Sequence, residues 1–261
     1  MNFDDTPQEA AFRAEAKAWI GANAPKQYED ELRKASLVRV ALKGANILEV
    51  AKAWQKKKAD AGWACLHWPK EYGGRGASPI ERVIWQQEEG VYGKLTQPFQ
   101  IGEGMCGPTV MAWGSEEHKR RYLPKLASGE EIWCQLFSEP AGGSDVAGLR
   151  TRAEKQGDNW VINGTKCWIT NGGKSTWYTV MAVTDPEKGA NGISAFMVHK
   201  DDPGFTVGPL EKKLGIKGSP TAELYFENCR IPGDRIIGAA CLAVAACYAG
   251  GYAAAALRLK A

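Results

Sequence analysis

A glycine-containing run with the letters F-S-E-P-A-G-G-S-D occupies residues 137–145 and follows an apolar segment. A chain that leaves a strand in such a sequence keeps its main-chain N–H groups free, and no bulky side chain lies beside them. This arrangement can bind an anion or the polar edge of a planar molecule. On composition alone, an ordinary glycine-rich turn is the simpler interpretation.

A second run, K-C-W-I-T-N-G-G-K at residues 166–174, places an indole close to a hydroxyl group. Because successive side chains of a strand point to opposite faces, Trp168 and Thr170 share a face. Such a pair could stack on a flat heterocycle and hydrogen-bond to it. The alternative, favoured when Trp168 is considered alone, is a tryptophan buried in the core.

The letters G-E-G-M-C-G at residues 102–107 match the glycine pattern of dinucleotide-binding folds. That pattern binds a pyrophosphate only when a strand precedes it and a helix begins within it. Here the preceding segment is predicted to be helical and Pro108 follows at once, so we expect a loop leading into a helix. The three histidines lack the spacing of metal ligands, and no metal site is expected.

The composition is that of a globular protein with two domains or one large one: 261 residues, 44% hydrophobic and 24% charged. The net charge of +3 comes from interspersed residues, 33 basic and 30 acidic, which argues against nucleic-acid binding but tolerates an anionic ligand. Seven cysteines without a C-x-x-C pair, and an acidic, polar start without a secretory signal, predict a cytoplasmic protein with reduced thiols.

The end of the sequence is rich in alanine. Residues 236–257 carry no charge and are long enough to span a bilayer, but alanine and glycine gain little in hydrocarbon, so we expect no membrane association. The last 23 residues include eleven alanines, and Gly250 and Gly251 would interrupt a helix. We interpret residues 239–261 as a fragment or replacement of a helical domain.

The first half of the sequence is predicted to be helical. The letters T-P-Q-E at residues 6–9 and S-P-I-E at residues 78–81 are capping boxes with proline at the first helical position. Further helices are predicted near residues 47–61 and from about Ser115 toward Pro124.

From Trp133 onward the apolar period becomes that of strands, and about six short strands are predicted. Asn163 and Gly164 between two apolar runs predict a hairpin turn. The predicted fold is therefore α+β multidomain. It has an all-α helical domain at residues 1–132, an antiparallel β-barrel-like domain at residues 133–238 and a truncated C-terminal helical segment at residues 239–261.

The two runs above, in order with W-V-I-N-G at residues 160–164 and K-K-L-G-I-K-G-S-P-T at residues 212–221, resemble the acyl-CoA dehydrogenase family. The resemblance covers residues 1–238, including W-P-K-E-Y-G-G at residues 68–74. It implies FAD bound between the β domain and a C-terminal helical bundle, in a homo-oligomer (dimer or tetramer) whose neighbouring subunit completes the site. The positions that match flavin contacts of the family are Gln135, Leu136, Phe137, Ser138, Gly143, Ser144, Trp168, Ile169 and Thr170.

In this family Ser138 would meet the polar edge of the flavin ring, and Ser144 would touch both the cofactor and the acyl-CoA. Trp168 would offer a ring face and Thr170 a donor near N5, where hydrogen bonds raise the hydride affinity of a flavin. The implied reaction is α,β-desaturation of acyl-CoA thioesters in fatty-acid or related β-oxidation, with an electron-transfer flavoprotein as acceptor. The acyl chain length is left open.

Family members carry the base that removes the α-proton as a Glu in the C-terminal helical domain. This sequence has no Asp or Glu after Asp234, so no catalytic residue is assigned and we expect the chain to be inactive by itself. Glu139 and Asp145 are interpreted as structural: Glu139 as an acceptor for N–H groups of the turn at residues 141–144, and Asp145 as a local cap.

Two alternatives are kept. The chain could be a non-catalytic flavin- or acyl-CoA-binding subunit of a hetero-oligomer. It could also be a flavin monooxygenase or a nitroalkane-oxidase-like member of the same fold.

Overall fold

The computed structural model describes residues 4–35, 41–216 and 218–240. The alanine-rich tail and the stretch considered as a membrane span both lie mostly within residues 241–261. These residues are outside the described ranges. Within the described ranges, no helix combines the length and the hydropathy needed to cross a membrane.

Helices dominate the first half of the chain. The α-helices are α1 Pro7–Asn23, α2 Glu29–Lys34, α3 Ile47–Asp60, α4 Pro79–Glu89, α5 Gly107–Trp113 and α6 Glu116–Ala127.

Both predicted capping boxes are present. At the start of α1, Glu9 N–H donates to Thr6 Oγ1 (3.3 Å) and Thr6 N–H donates to Glu9 Oε2 (2.7 Å). Ser78 and Glu81 repeat this exchange at the start of α4, with distances of 3.2 and 2.7 Å. Each box satisfies main-chain donors that the first helical turn leaves without partners, which is why these two helices begin where the sequence predicts.

The glycine motif is not a loop, contrary to the sequence-based expectation. Gly102–Cys106 form a π-helical turn that continues directly into α5, and Gly107 N–H donates to Gly102 O. Pro108 cannot donate the next α-helical hydrogen bond, and a wider π-turn at this point accommodates that loss. A Cβ atom at Gly102 would lie 3.4 Å from Leu126 and from Trp133 Cβ, so this glycine allows close packing.

In the part of the chain that the structure describes, eight strands form one sheet: β1 Trp133–Leu136, β2 Arg152–Gln156, β3 Asn159–Thr170, β4 Trp177–Val183, β5 Ile193–His199, β6 Phe205–Leu210, β7 Thr221–Pro232 and β8 Ile236–Ile237. The order is β6-β7-β3-β2-β4-β5-β8, with β1 paired to β4. A helical region followed by a β-sheet region confirms the predicted fold class. The sheet is largely antiparallel, but β4 pairs in parallel with β1 and, at one position, with β2.

The predicted hairpin turn at Asn163 and Gly164 is wrong. Both residues lie inside β3, which runs uninterrupted from Asn159 to Thr170, and the turn is instead at residues 157–158, between β2 and β3. The pairing of β3 with β7 shifts register between Ile162 and Gly164. Gly164 has φ +153°, and a Cβ atom there would lie 2.4 Å from Thr151 Oγ1. Glycine is therefore required by the close approach of Thr151, which directly precedes β2, rather than by a turn.

The chain divides into two compact units. One comprises Met1–Pro98, Ala127–Glu130 and Gly215–Gly218, and the other Phe99–Leu126, Glu131–Leu214 and Ser219–Ala261. The second unit contains the sheet, whose core includes Ile162, Tyr178, Phe196 and Leu224, all almost fully buried. The domain limits predicted at residues 132 and 238 stay a prediction.

Candidate functional site

The two segments singled out in the sequence lie side by side. Cys167 N–H in β3 donates to Ser138 O at the exit of β1 (3.0 Å), and Cys134 Sγ in β1 donates to Thr170 O (3.0 Å). Burial raises the pKa of the Cys134 thiol, which keeps it protonated and able to donate. We call residues 135–138 and 168–170 together the candidate wall.

Trp168 lies outside the core. Its side chain is 65% exposed, so the alternative that it is a core tryptophan is wrong. The cause is a β-bulge: the pairing of β3 with β7 shifts register between Lys166 and Ile169, and Trp168 adopts φ +59°. Thr170 is also exposed, as strand alternation predicts, while Ile169 between them is buried.

The other predicted contact residues are placed unequally. Leu136 and Ile169 are core residues with 0% and 3% exposure, so only their main-chain groups can meet a ligand. Phe137 and Ser138 are half-buried. Gly143 lies near Ser138, since a Cβ atom there would be 3.7 Å from Ser138 Oγ, and Ser144 is exposed one residue further on.

Gln135 carries a hydrogen-bond donor that the described residues leave without a partner. Its Nε2 atom is buried and makes no hydrogen bond in the described part of the chain. Its Oε1 atom lies 3.7 Å from the Cys106 thiol, which fixes the direction of the amide. A buried donor of this kind costs free energy unless a ligand satisfies it.

Glu139 is structural, as the sequence suggested, but its partners differ from those expected. Its carboxylate accepts from Arg150 N–H (2.7 Å), Thr151 N–H (3.0 Å) and Lys166 Nζ (2.7 Å). The turn that follows is closed by main-chain hydrogen bonds between Glu139 and Gly142 instead. Burial raises the pKa of Glu139, but Lys166 and these hydrogen bonds outweigh burial and hold it below its usual value.

Lys166 was not recognised as a site residue from the sequence. Simple alternation would place it on the exposed face with Trp168, but the bulge between them leaves Lys166 0% exposed. Burial lowers its pKa to about 8, although Glu139 opposes this. The signal available in the sequence was a charged lysine within a predicted strand. Its role could not be inferred because the sequence does not show that Glu139 is its partner.

Asp145 caps the short helical turn that follows it, by accepting from Gly148 N–H (3.2 Å). The expectation of a local cap is confirmed. Within residues 4–35, 41–216 and 218–240, no group of three or more His, Cys, Asp or Glu side chains could hold a metal ion.

Comparison with known families explains the two segments. The N-terminal domain of acyl-CoA dehydrogenases matches residues 6–130, and the middle domain of the same family matches residues 134–229. The chain belongs to the acyl-CoA dehydrogenase family. The candidate wall lies within the matched middle domain, as the motifs in the sequence predicted.

Relatives of this family member include both sequences and solved structures. It is 57% identical over 178 residues to the probable acyl-CoA dehydrogenase FadE25 of Mycobacterium tuberculosis, a match that covers 68% of this chain and 46% of that protein. The chain thus spans about half the length of this curated relative. It is also similar to the ChsE4-ChsE5 complex of Mycobacterium tuberculosis (28% identity, TM-score 0.75, 99% of this chain and 61% of that one).

A third relative is a glutaryl-CoA dehydrogenase of Mycobacterium smegmatis, solved in complex with FADH2 (29% identity, TM-score 0.71, 95% of this chain and 60% of that one).

The candidate wall fits a flavin. Gln135 Nε2 is a buried donor in need of a partner, and Trp168 exposes its indole in the same strand as the exposed Thr170. A planar ring with polar edges satisfies both features.

Proposed function

We propose that this chain forms one wall of the FAD site of an acyl-CoA dehydrogenase that desaturates acyl-CoA thioesters between the α and β carbons. The observation that carries the proposal is the hydrogen bond from Cys167 N–H to Ser138 O, because it joins the two family motifs into one surface. A bound flavin would supply the acceptor for the β-hydrogen.

The residues of the wall would bind and orient. Trp168 would stack against the ring, and the hydroxyl groups of Ser138 and Thr170 would donate to its polar edge. Gln135 Nε2 would donate from the buried side of the wall. Gly143 and Ser144, with no bulk between them and Ser138, would leave room for the cofactor and for the thioester.

The base that removes the α-proton is not expected from the acidic residues beside this wall. Glu139 is engaged by Lys166 and two main-chain N–H groups, and Asp145 caps a turn. No Asp or Glu follows Asp234 in the sequence. A base must reach the proton that it abstracts, so we propose that it comes from outside these 261 residues and that they are inactive by themselves.

A second candidate is a binding subunit of a hetero-oligomer that shares a flavin site with another chain. The observation in its favour is the similarity to the ChsE4-ChsE5 complex, a solved assembly of two named components. In either case we propose acyl-CoA as the ligand and an electron-transfer flavoprotein as the acceptor. The base would then come from a part of the protein outside these 261 residues, or from a different partner chain.

The test uses the chain loaded with FAD and mixed anaerobically with acyl-CoA thioesters of several lengths. We expect no bleaching of the flavin absorbance, while dithionite bleaches it as a control. A chimera that adds the remaining C-terminal part of FadE25 is expected to bleach. Rapid bleaching by the chain alone would mean that a base lies within it, and a chain that takes up no FAD at any concentration would contradict the proposed wall.

A further inference from the structure

The candidate wall rests on a buried ion pair. Lys166 Nζ lies 2.7 Å from Glu139 Oε1, and the two side chains are 0% and 5% exposed. Lys166 Nζ also donates to Phe137 O (3.2 Å). The pair therefore joins β3 directly to the segment by which the chain leaves β1.

Glu139 extends this connection to a third segment. Its carboxylate accepts from the N–H groups of Arg150 and Thr151, just before β2 begins at Arg152. One carboxylate and one ammonium group thus hold the exit of β1, the bulged part of β3 and the entry to β2. A carboxylate only accepts hydrogen bonds and an ammonium group only donates them. Glu139 can therefore bind only donors, and Lys166 can bind only acceptors.

We propose that Lys166 and Glu139 are positioning residues for flavin binding, which fix Ser138 and Trp168 in one relative arrangement. This inference rests on the proposed function. Glu139 directly follows Ser138, and Lys166 precedes Trp168 by two residues. The bond from Cys167 N–H to Ser138 O lies between these points, so a shift of either charged side chain moves both parts of the wall.

A purely stabilising role accounts poorly for a charged pair at this place. Replacing both members of a buried ion pair by apolar residues is often neutral or stabilising, whereas removing one member is strongly destabilising. The core of the sheet is built from hydrophobic side chains, among them Leu136 and Ile169, each three residues along the chain from a member of the pair. What apolar side chains cannot do is direct the carbonyl of Phe137 and the N–H groups of Arg150 and Thr151.

The chain contains a matched control. Lys58 and Glu89 form a second buried pair at 2.9 Å, with side chains 3% and 7% exposed. Glu89 also accepts from the indole N–H groups of Trp54 and Trp85, in the other compact unit of the chain. Lys58→Met therefore removes the same charge from a comparable environment without touching the candidate wall.

The experiment has one readout without flavin and one with it. The ten tryptophans are replaced by 5-fluorotryptophan, and the ¹⁹F resonance of Trp168 is assigned by its loss in Trp168→Phe. FAD affinity is then measured by titration. In Lys166→Met we expect a shifted or broadened Trp168 resonance and FAD binding weaker on the order of tenfold, as when a supporting partner of a binding group is removed. Lys58→Met is expected to change neither.

Two results would overturn the inference. One is a ¹⁹F chemical shift of Trp168 that is the same in Lys166→Met as in Lys58→Met. The other is a moved resonance with unchanged FAD affinity. Titration of Trp168→Ala distinguishes the failures: if that variant binds FAD more weakly, only the positioning role falls, and if it binds FAD as the wild type does, the proposed function falls as well.

Poor folding of Lys166→Met does not block the test. The double variant Lys166→Met/Glu139→Leu removes both charges and is expected to regain a cooperative unfolding transition. A merely structural pair would then also regain the wild-type Trp168 resonance and FAD affinity, which would overturn the inference. Recovered folding with a displaced resonance and weakened FAD binding supports it.

Discussion

Trp168 combines an unusual backbone with an exposed aromatic ring, and both follow from its place in a bulge. Exposing an indole leaves a large apolar surface in water, which a core position would have buried. The ring therefore contributes little to the stability of the free chain. The role proposed for it, stacking on a flavin, requires the ring to be exposed in the free chain.

Trp168→Ala should separate binding from stability. We expect the free energy of unfolding to change by no more than about 0.5 kcal/mol, since the side chain is mostly exposed, while FAD affinity falls. Urea unfolding and FAD titration measure the two quantities. Ile80→Ala, which removes an exposed apolar side chain from α4, serves as the control and should leave FAD affinity unchanged. A loss of several kcal/mol in Trp168→Ala would show that the ring is structural after all.

At the scale of elements, β3 is a long inner strand that keeps its continuity through a glycine. Thr151 approaches the main chain at Gly164 so closely that no side chain fits. Two hydrogen bonds between Asn163 and Asn228 stabilise the register shift on the β7 side. Asn163 Nδ2 donates to Asn228 Oδ1 (3.3 Å), and Asn228 N–H donates to Asn163 Oδ1 (2.7 Å). Asparagine here supports a bulge instead of forming a turn.

Gly164→Ala should destabilise the sheet by roughly 3 kcal/mol or more, because a methyl group would overlap Thr151. Gly157→Ala is the matched control. Gly157 also has a positive φ, +61°, but open space around its Cβ position, so only the backbone penalty of about 1–2 kcal/mol is expected. Equal losses in the two variants, measured by urea unfolding, would argue against the close approach of Thr151.

The sequence predicts those elements whose causes are local. The capping boxes at Thr6 and Ser78 act within four residues, and both helices begin as predicted. The change to the apolar period of strands at Trp133 is likewise a local pattern, and β1 begins at that residue.

The predictions that are wrong or missing concern residues whose structure depends on a partner distant in the sequence. Gly164 is a strand residue because of Thr151, and Gly102 is helical beside Leu126 and Trp133. Lys166 is buried because of Glu139, 27 positions away along the chain. The residue types of the candidate wall could be found from the motifs, but the pair that holds them could not, since a bulge reverses the face on which Lys166 lies.

At the scale of the whole molecule, Glu139 should make stability depend on pH. Its pKa is lowered in the folded state, so its contribution is fully present above the unfolded value of 4.5 and is lost as the pH falls through the lower folded value. Protonation removes the partner of the buried Lys166 ammonium and weakens the link between three segments.

We therefore expect Glu139→Gln to be less stable than the wild type at pH 7, with a difference that shrinks as the pH is lowered below 4.5. Urea unfolding followed by circular dichroism, at pH 7 and at several values between 5 and 3, measures this difference. A gap that stays constant over this range would mean that the carboxylate of Glu139 does not sense its folded environment.

The bulge at Trp168 also has a consequence for how such a surface can change during evolution. A bulged residue stands outside the hydrogen-bonding ladder, so exchanging its side chain leaves the pairing of β3 with β7 largely intact. Selection can then act on the exposed residue while the neighbouring core residues, Cys167 and Ile169, are held by packing. The backbone irregularity thus uncouples the exchange of an exposed side chain from the packing of the strand that carries it.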